Sequence, residues 1–190
     1  MTMTEPETWV DAYGDRLFRY ALSRVRDEGA AEDLVQETLL AAFKSRERFK
    51  GESSELTWMT GILRNKLFEL YRRQAKEAPL GSPDEEPDPE DEFFGARHWT
   101  ESAAPRDWGG EPARRAESAE FAAALRRCLD ALSAGPARAF VLREMEGAAP
   151  EDAAEALGVS PGHLAVLLYR ARMRLRRCLE KNHFAPEAAA

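Results

Sequence analysis

The amino-acid sequence predicts an all-α protein made of two small helical domains joined by a long acidic linker. Apolar residues recur at three- and four-residue steps over most of the chain, and almost no stretch alternates as a strand would. The middle of the chain combines prolines with like charges, which removes backbone donors and opposes a packed core. We therefore place one helical domain at 1–76, the linker at 77–117, a second helical domain at 118–184 and a tail at 185–190.

Three amphipathic helices account for the first domain. They are predicted over 9–26, about 30–45 and 57–74, and a loop with one glycine and two serines separates the second from the third. The apolar stripes consist of Trp9, Tyr13, Leu17, Tyr20, Ala21 and Val25, then Leu34, Val35, Thr38, Leu39, Ala42 and Phe43, then Trp58, Ile62, Leu63, Leu67, Leu70 and Tyr71.

The second domain is predicted to hold four helices. The first begins near Ser118 and ends at the Gly135-Pro136 pair, and the others span 136–145, 150–157 and about 161–181. The linker that precedes this domain also carries aromatic residues, which a flexible tether does not need. They indicate that parts of the linker dock on this protein or on a partner, and they are Phe93, Phe94, Trp99 and Trp108.

Charge is unevenly distributed along the chain. The net charge of −7 argues by itself against nucleic-acid binding, because phosphates are neutralised by Lys and Arg. However, 77–117 holds twelve acids and four arginines, whereas 157–181 holds six basic residues and one acid, and 64–76 holds five basic residues and one acid. Two basic stretches that flank an acidic middle are compatible with a nucleic-acid partner.

No apolar run approaches the roughly 20 residues that cross a bilayer, and no secretory signal is visible at the N-terminus. We therefore expect a cytoplasmic protein without membrane insertion. Cys128 and Cys178 lie far apart and without a histidine or CxxC motif, so no metal site and no cofactor is expected. Two reduced thiols packed in a core are the favoured interpretation, and a disulfide is the alternative.

A helix-turn-helix is predicted over 151–174. Gly158 suits the left-handed position that closes a helix, Ser160 can cap the next helix, and Pro161 suits its first turn. In such a motif the second helix enters the major groove of DNA. Basic residues farther along this helix could hold phosphates, although an ordinary helical hairpin with a solvated charged face remains an alternative.

Two polar features mark the first domain. Asp33, Gln36 and Glu37 form a ridge opposite an apolar face, which suits a protein partner but also describes the wet side of any amphipathic helix. The loop over 49–54 combines aromatic, small and polar residues, and a helix with several cations follows it. Such surroundings can hold single-stranded DNA through base stacking, phosphate pairing and a pocket for an extruded base. Core packing is the alternative for Trp58.

At this point the motifs resemble a known family. Asp33-Leu34-Val35-Gln36-Glu37-Thr38, the Phe49–Ser54 loop, Trp58, Arg64-Asn65 and Tyr71-Arg72-Arg73 are similar to region two of extracytoplasmic-function sigma factors. Three further segments resemble region four of the same family: Leu142–Gly147, Ala154–Ser160 and Tyr169–Arg172. The resemblance covers about 9–74 and 119–179, and the motifs are specific in combination and in order. It implies a protein that binds core RNA polymerase and directs promoter-specific initiation of transcription.

The resemblance also implies roles for individual residues. The linker would thread toward the RNA exit path, and a dedicated anti-sigma factor is left open as a further partner. Core polymerase would be contacted by Asp33, Leu34, Gln36, Glu37 and Phe43; the minus-ten promoter DNA by Phe49, Lys50, Gly51, Ser53, Ser54, Trp58, Arg64, Asn65, Lys66, Arg72 and Arg73; and the minus-thirty-five element by Ser160, Pro161, His163, Tyr169, Arg170, Arg172 and Arg174.

One departure from the family pattern concerns the recognition helix. The family often has a Lys and an Arg where this chain has Ala165 and Leu167, so few side chains remain for bidentate bonds to guanine. Two other functions compete with the sigma factor: a stand-alone transcription regulator, which would bind duplex DNA without polymerase, and a scaffold of the anti-sigma kind. An enzyme is disfavoured, because no phosphate-cradling loop, paired catalytic motif or metal-ligand spacing is found.

Overall fold

The computed structural model describes residues 4–80, 94–95, 98–99 and 119–182. The chain divides into two compact units, which comprise residues 1–79 and 80–190. Within the described residues, helices dominate, and the sole exception is a two-residue antiparallel pair in which β1 (Phe94–Gly95) faces β2 (His98–Trp99). The predicted all-α class is confirmed. Most of the predicted linker, with Phe93 and Trp108, lies outside the described residues.

The N-terminal unit is a bundle of three helices, preceded by a 3₁₀ turn at Pro6–Thr8: α1 (Trp9–Val25), α2 (Glu28–Ser45) and α3 (Glu55–Glu77). Arg26, at φ 57°, closes α1 in the left-handed conformation, and Asp27 then caps α2 by accepting a hydrogen bond from the N–H of Ala30 at 2.7 Å. This tight connection makes α1 and α2 an antiparallel hairpin, against which α3 packs.

The core of this unit is built mainly from the predicted stripes, but Phe43, which was expected on the stripe of α2, is 47% exposed. Thr38 is fully buried and donates its hydroxyl to the carbonyl of Leu34, while the Tyr71 hydroxyl donates to the carbonyl of Arg24 at 3.0 Å. Both polar groups are therefore satisfied inside the core. The buried apolar residues are Trp9, Leu17, Ala21, Ala31, Leu34, Ala42, Met59, Leu63, Leu67 and Tyr71.

The C-terminal unit contains α4 (Ala119–Asp130), α5 (Ala134–Phe140), α6 (Pro150–Leu157) and α7 (Pro161–Asn182), and a π-helical turn (Val141–Met145) extends α5. The expectation that Gly135 and Pro136 end the first of these helices is wrong. The helix α4 ends at Asp130, and the pair lies in the first turn of α5, where the missing N–H of Pro136 would be unbonded in any case.

The favoured interpretation of the cysteines is also wrong. Cys128 and Cys178 form a disulfide between α4 and α7, with their Cα atoms 5.7 Å apart. The separation of fifty positions gave no sign of this contact, because it arises from the packing of α4 along the C-terminal half of α7. The cluster around the bond comprises Ala124, Cys128, Leu129, Leu132, Ala137, Ala171, Leu175 and Leu179.

Candidate functional site

The polar ridge of α2, formed by Asp33, Gln36 and Glu37, faces solvent. Asp33 and Gln36 are exposed, and the side chain of Glu37 is 39% exposed. Leu34 does not share this surface: it is 2% exposed and packs in the core, since the same helical turn must present one side to α1 and α3. The expected contact of Leu34 with polymerase is therefore corrected to a core role.

Two large apolar side chains stand out from the same helix. Leu40 is 59% exposed and Phe43 is 47% exposed, and the guanidinium of Arg46 lies 4.6 Å from the centre of the Phe43 ring. Isolated exposed apolar residues are ordinary, but these two are three positions apart and so lie on one side of α2. Together with the ridge they form a surface with polar and apolar parts.

Glu37 connects the ridge to α3. Its carboxylate lies 3.8 Å from the ammonium of Lys66 and 3.6 Å from the guanidinium of Arg73, and Lys66 also pairs with Glu69 at 2.6 Å. The residue expected to touch polymerase is thus paired with two residues expected to touch DNA. Each pair is partly exposed, so each contributes at most about 1 kcal/mol.

The loop between α2 and α3 brings aromatic and small polar residues together. The rings of Phe49 and Trp58 are 5.4 Å apart and tilted by 56°, and Trp58 is partly buried. Gly51 has a φ of 71°, which a residue with a Cβ rarely adopts, so the chain can turn sharply here. Lys50 and Ser53, in the same loop, are exposed.

Ser54 has a local task that its position explains. Its hydroxyl oxygen accepts a hydrogen bond from the N–H of Thr57 at 3.1 Å and so caps α3. The cap fixes the start of the helix that carries the cations. Two turns beyond Trp58, roughly 10 Å along the axis, Arg64 and Asn65 are exposed. About two turns beyond Arg64 and Asn65, Arg72 is partly buried and Arg73 is exposed.

Glu55 is a structural residue that the sequence reasoning missed. Its carboxylate accepts bonds from the N–H of Thr4 at 2.8 Å, the hydroxyl of Thr4 at 2.5 Å and the hydroxyl of Tyr13 at 3.0 Å. Burial raises the pKa of Glu55, but these hydrogen bonds outweigh it and hold the pKa below its ordinary value. The residue ties the N-terminal segment and α1 to the start of α3.

The helix-turn-helix has the expected local geometry. Gly158 closes α6 with a φ of 64°, and the hydroxyl of Ser160 accepts a hydrogen bond from the N–H of His163 at 3.1 Å. Pro161 is the first residue of α7, where its fixed φ favours the helix. All three sequence signals are confirmed by the backbone.

The first turns of α7 expose small side chains. Ser160, Pro161, Gly162 and Ala165 are exposed, while His163 and Tyr169 are partly buried. Leu167 is 4% exposed and belongs to the core, so one of the two positions that are often basic in the family faces inward here. The surface that this part of α7 offers is therefore compact and carries few hydrogen-bonding groups.

Arg170 also requires a correction. It is 3% exposed, because its position on α7 faces the rest of the unit, so its guanidinium is not on the outer surface that was expected to meet phosphates. Burial lowers the pKa of His163, and the charge of Arg170 lowers it further. Both effects favour the neutral imidazole in the free protein, which can donate and accept hydrogen bonds.

Arg172 and Arg174 connect α7 to the rest of its unit. The guanidinium of Arg172 donates to the carboxylate of Glu144 at 2.5 Å, and that of Arg174 donates to the hydroxyl of Ser133 at 3.3 Å. Arg143 bonds the carbonyl of Ala148 and so closes the turn before α6. No sequence pattern indicated the roles of Glu144 and Arg143, because the partner of the first is distant in the sequence and that of the second is a backbone carbonyl.

Residues 4–80, 94–95, 98–99 and 119–182 contain no group of three or more His, Cys, Asp or Glu side chains placed to hold a metal ion. In the same part of the chain, no helix is long and apolar enough to span a membrane.

Comparison with known proteins identifies the family. The Sigma-70 region 2 family matches residues 9–77, and the Sigma-70, region 4 family matches residues 122–175. A probable RNA polymerase sigma factor of Haemophilus influenzae is 34% identical over 168 residues, which cover 88% of this chain and 86% of that protein. The ECF RNA polymerase sigma factor SigX of Bacillus subtilis is 26% identical over 172 residues, which cover 90% of this chain and 81% of that protein. This chain belongs to the extracytoplasmic-function sigma-70 factors.

The sigma factor family assignment fixes the function. The protein binds core RNA polymerase and promoter DNA and directs the initiation of transcription, as the resemblance predicted. The chain is also similar to the sigma factor RpoE of Bartonella quintana, solved in complex with the anti-sigma factor NepR, at 25% identity and a TM-score of 0.42; the alignment covers 93% of this chain and 97% of that one.

Proposed function

We propose that the N-terminal unit docks on core polymerase through α2 and holds the opened minus-ten strand through the loop and α3. The docking surface consists of the polar ridge with Phe43, and Leu40 adds apolar area beside it. Interfaces combine a desolvated aromatic anchor with a polar rim, and this surface supplies both. The strand-binding surface consists of Phe49, Lys50, Gly51, Ser53, Trp58, Arg64, Asn65, Lys66, Arg72 and Arg73, with Ser54 as the cap that positions them.

The chemistry of the second surface suits single-stranded DNA. Phe49 and Trp58 form a tilted pair beside a sharp turn, so an unstacked base can meet an aromatic face and small polar groups. Arg64 is exposed two turns farther along the same helix and can pair with the backbone phosphates. Stacking and phosphate pairing are the two contributions on which single-strand binding depends.

For the C-terminal unit, we infer that α7 reads the minus-thirty-five element with a small, mostly apolar surface. Ala165 offers a methyl group of the kind that contacts a thymine methyl, and Ser160 and His163 can bond to bases or phosphates. Arg172 and Arg174 are close to the outer face and can contact phosphates, whereas buried Arg170 supports the helix. Tyr169 and Pro161 complete the surface.

The remaining assignments follow from the family. We propose domains at 1–76 and 118–184, a connector at 77–117 and a tail at 185–190. We further propose that the chain acts in the cytoplasm, catalyses no reaction itself and is controlled by an anti-sigma factor. The last point is supported by a family relative, the Bartonella quintana factor, which was solved with such a partner.

One observation carries the proposal. A single compact unit, matched over 9–77 by the family, presents an exposed polar and apolar surface on α2 and an exposed polar face with cations on α3. Promoter opening requires that polymerase and the opened DNA strand are held at the same time. Two such surfaces on one rigid unit meet this requirement.

Reconstituted transcription tests the proposal. The purified protein is mixed with sigma-free bacterial core polymerase and fragmented host DNA, and the transcript starts are sequenced. We expect discrete starts that share a two-part upstream motif with constant spacing. Specific duplex binding by the protein alone, with no starts in the presence of core, would instead support a stand-alone regulator.

A matched pair of variants tests the assigned surface. Asn65→Ala removes an exposed amide from α3 and should reduce the number of transcripts at least about tenfold while leaving the affinity for core unchanged, since its loss acts on the opened strand. Asp11→Ala, at an exposed position of α1, is the control and should leave transcription unchanged. Equal activity of the two variants would remove Asn65 from the strand-binding surface.

A further inference from the structure

The disulfide between Cys128 and Cys178 has no part in the proposed promoter contacts. It joins the last turn of α4 to the last two turns of α7, among apolar side chains that include Leu129, Leu132 and Leu179. Cys178 is 17 residues beyond Pro161, which corresponds to about 26 Å along the helix axis. The bond is therefore too far from the start of the recognition helix to touch the same part of the DNA.

The two sulfur atoms have different surroundings. Cys128 is 1% exposed, whereas Cys178 is partly exposed. Asn182, one turn farther along α7, donates its amide N–H to the carbonyl of Cys178 at 2.8 Å and to the sulfur of Cys178 at 3.3 Å. Because Cys178 is partly exposed, its sulfur is the one that a small thiol or disulfide can reach. The N–H donor of Asn182 stabilises negative charge on this sulfur, so Cys178 is also the better placed of the two cysteines to react as a thiolate.

The bond closes a loop that contains nearly the whole C-terminal unit. Residues 128–178 include α5, the π-helical turn, α6 and most of α7, with the complete helix-turn-helix. Cross-linking across fifty positions restricts the unfolded chain strongly, which stabilises the folded unit. With the bond open, the apolar cluster still holds α4 on α7, but the unfolded chain is no longer restricted.

We propose that Cys128 and Cys178 form a reversible thiol-oxidation site whose closure stabilises the C-terminal unit, with a low-molecular-weight disulfide such as glutathione disulfide as the oxidant. The Cys178 thiolate attacks the small disulfide, forms a mixed disulfide and releases one small thiolate. The Cys128 thiol then loses its proton and attacks the sulfur of Cys178, so the second small thiolate leaves and the protein bond forms. In total the protein gives up two electrons and two protons, and one small disulfide becomes two small thiols.

The reversibility of the bond rests on the proposed cytoplasmic location. Polymerase and DNA share a compartment in which the thiol pool keeps cysteines reduced, and disulfides formed there are those that sense the redox state. The consequence for transcription rests on the proposed function: closure should leave promoter choice unchanged and extend the temperature range in which the upstream element is read.

The test measures thiols and unfolding in the full chain, without polymerase. The protein is equilibrated in buffers that range from reduced glutathione alone to glutathione disulfide alone. One part of each sample is denatured in the presence of a maleimide polymer that traps the free thiols, including that of buried Cys128, and shifts the mass, and the other part is melted. We expect two reactive thiols in the reducing buffers and none in the oxidising ones, and the melting temperature of the C-terminal unit should be at least about 5 °C higher in the oxidised form.

Cys178→Ser is the matched control, because its partly exposed site tolerates a hydroxyl, and Cys128→Ala is a second variant. Neither variant can form the protein disulfide, so neither should show the rise in melting temperature that the wild-type protein shows between the reducing and the oxidising buffers. Three results would overturn the proposal: thiols that stay reactive in glutathione disulfide, a bond that reduced glutathione cannot open in the folded protein, or oxidation without a change in melting temperature. None of these results depends on whether the promoter contacts are assigned correctly.

Discussion

Glu37 is the residue at which the two surfaces of the N-terminal unit meet. It belongs to the polar ridge, yet its carboxylate lies within 4 Å of the cations of Lys66 and Arg73. A partner that binds this carboxylate would release Arg73 from its ion pair for a phosphate contact, whereas Lys66 would keep its shorter ion pair with Glu69. Docking on polymerase and binding of the opened strand are therefore expected to favour each other.

Replacing Glu37 with Gln separates these two effects. The change removes the ion pair of Arg73 and the weaker of the two ion pairs of Lys66, so the affinity of the free protein for single-stranded minus-ten DNA should rise about two- to fivefold at low salt. The affinity for core should fall. Fluorescence anisotropy with a labelled strand measures the first change. Glu32→Gln, which removes the same charge from an exposed site on α2, should have a smaller effect. An equal rise in both variants would show general charge repulsion instead.

Glu55 gives the N-terminal unit a pH dependence. Because hydrogen bonds hold its pKa below the ordinary value of 4.5, this residue adds stability above that value, and the contribution is lost as the pH falls through the lowered pKa of the folded state. Glu55→Gln should cost about 1 kcal/mol at pH 7 and flatten the stability profile in that acidic range. Denaturant unfolding between pH 3 and 7 measures this, with the exposed Glu52→Gln as control. An unchanged profile would contradict the role of Glu55.

Among the elements, α7 differs most from what the family pattern led us to expect. Its first turns expose Gly162 and Ala165, and its apolar residues Leu164, Leu167 and Leu168 are buried. The apolar stretch that departs from the family pattern is therefore largely the side of α7 that faces the core. What remains outside is a surface small enough to approach the floor of the major groove closely.

Ala165→Glu tests this interpretation of α7. A carboxylate at this exposed position would face the bases and phosphates, so transcription from promoters that need the upstream element should fall at least about tenfold. The control is Ala122→Glu, which adds the same charge at an exposed position of α4. Runoff transcription from a promoter with an intact or a scrambled upstream element gives the measurement. Equal loss in both variants, or none in either, would move the reading surface away from Ala165.

For the molecule as a whole, the division into two compact units has a thermodynamic consequence. Leu63 and Leu142 are completely buried, one in each unit. Replacement of either by Ala should destabilise its own unit by about 3 kcal/mol through lost contacts and a residual cavity. Calorimetry of the full chain should show that each variant lowers one of two transitions and leaves the other in place. A single transition that both variants lower equally would mean that the units unfold together.

The sequence by itself determined the all-helical class, the turn of the helix-turn-helix and the family. These features depend on residues within a few positions of one another, as when Gly158, Ser160 and Pro161 set the turn of the helix-turn-helix. The family motifs are likewise short segments whose order along the chain is visible without a fold.

The tertiary structure decided which side of each helix is covered and which distant residues meet. Leu34 and Arg170 carry suitable side chains for the roles assigned to them, but their helices turn them inward. The ion pair of Arg172 with Glu144 and the bond of Cys128 with Cys178 join positions 28 and 50 apart. Such contacts come from the packing of whole helices, and helical periodicity gives the angle of a residue around its own helix but not the neighbour that it faces.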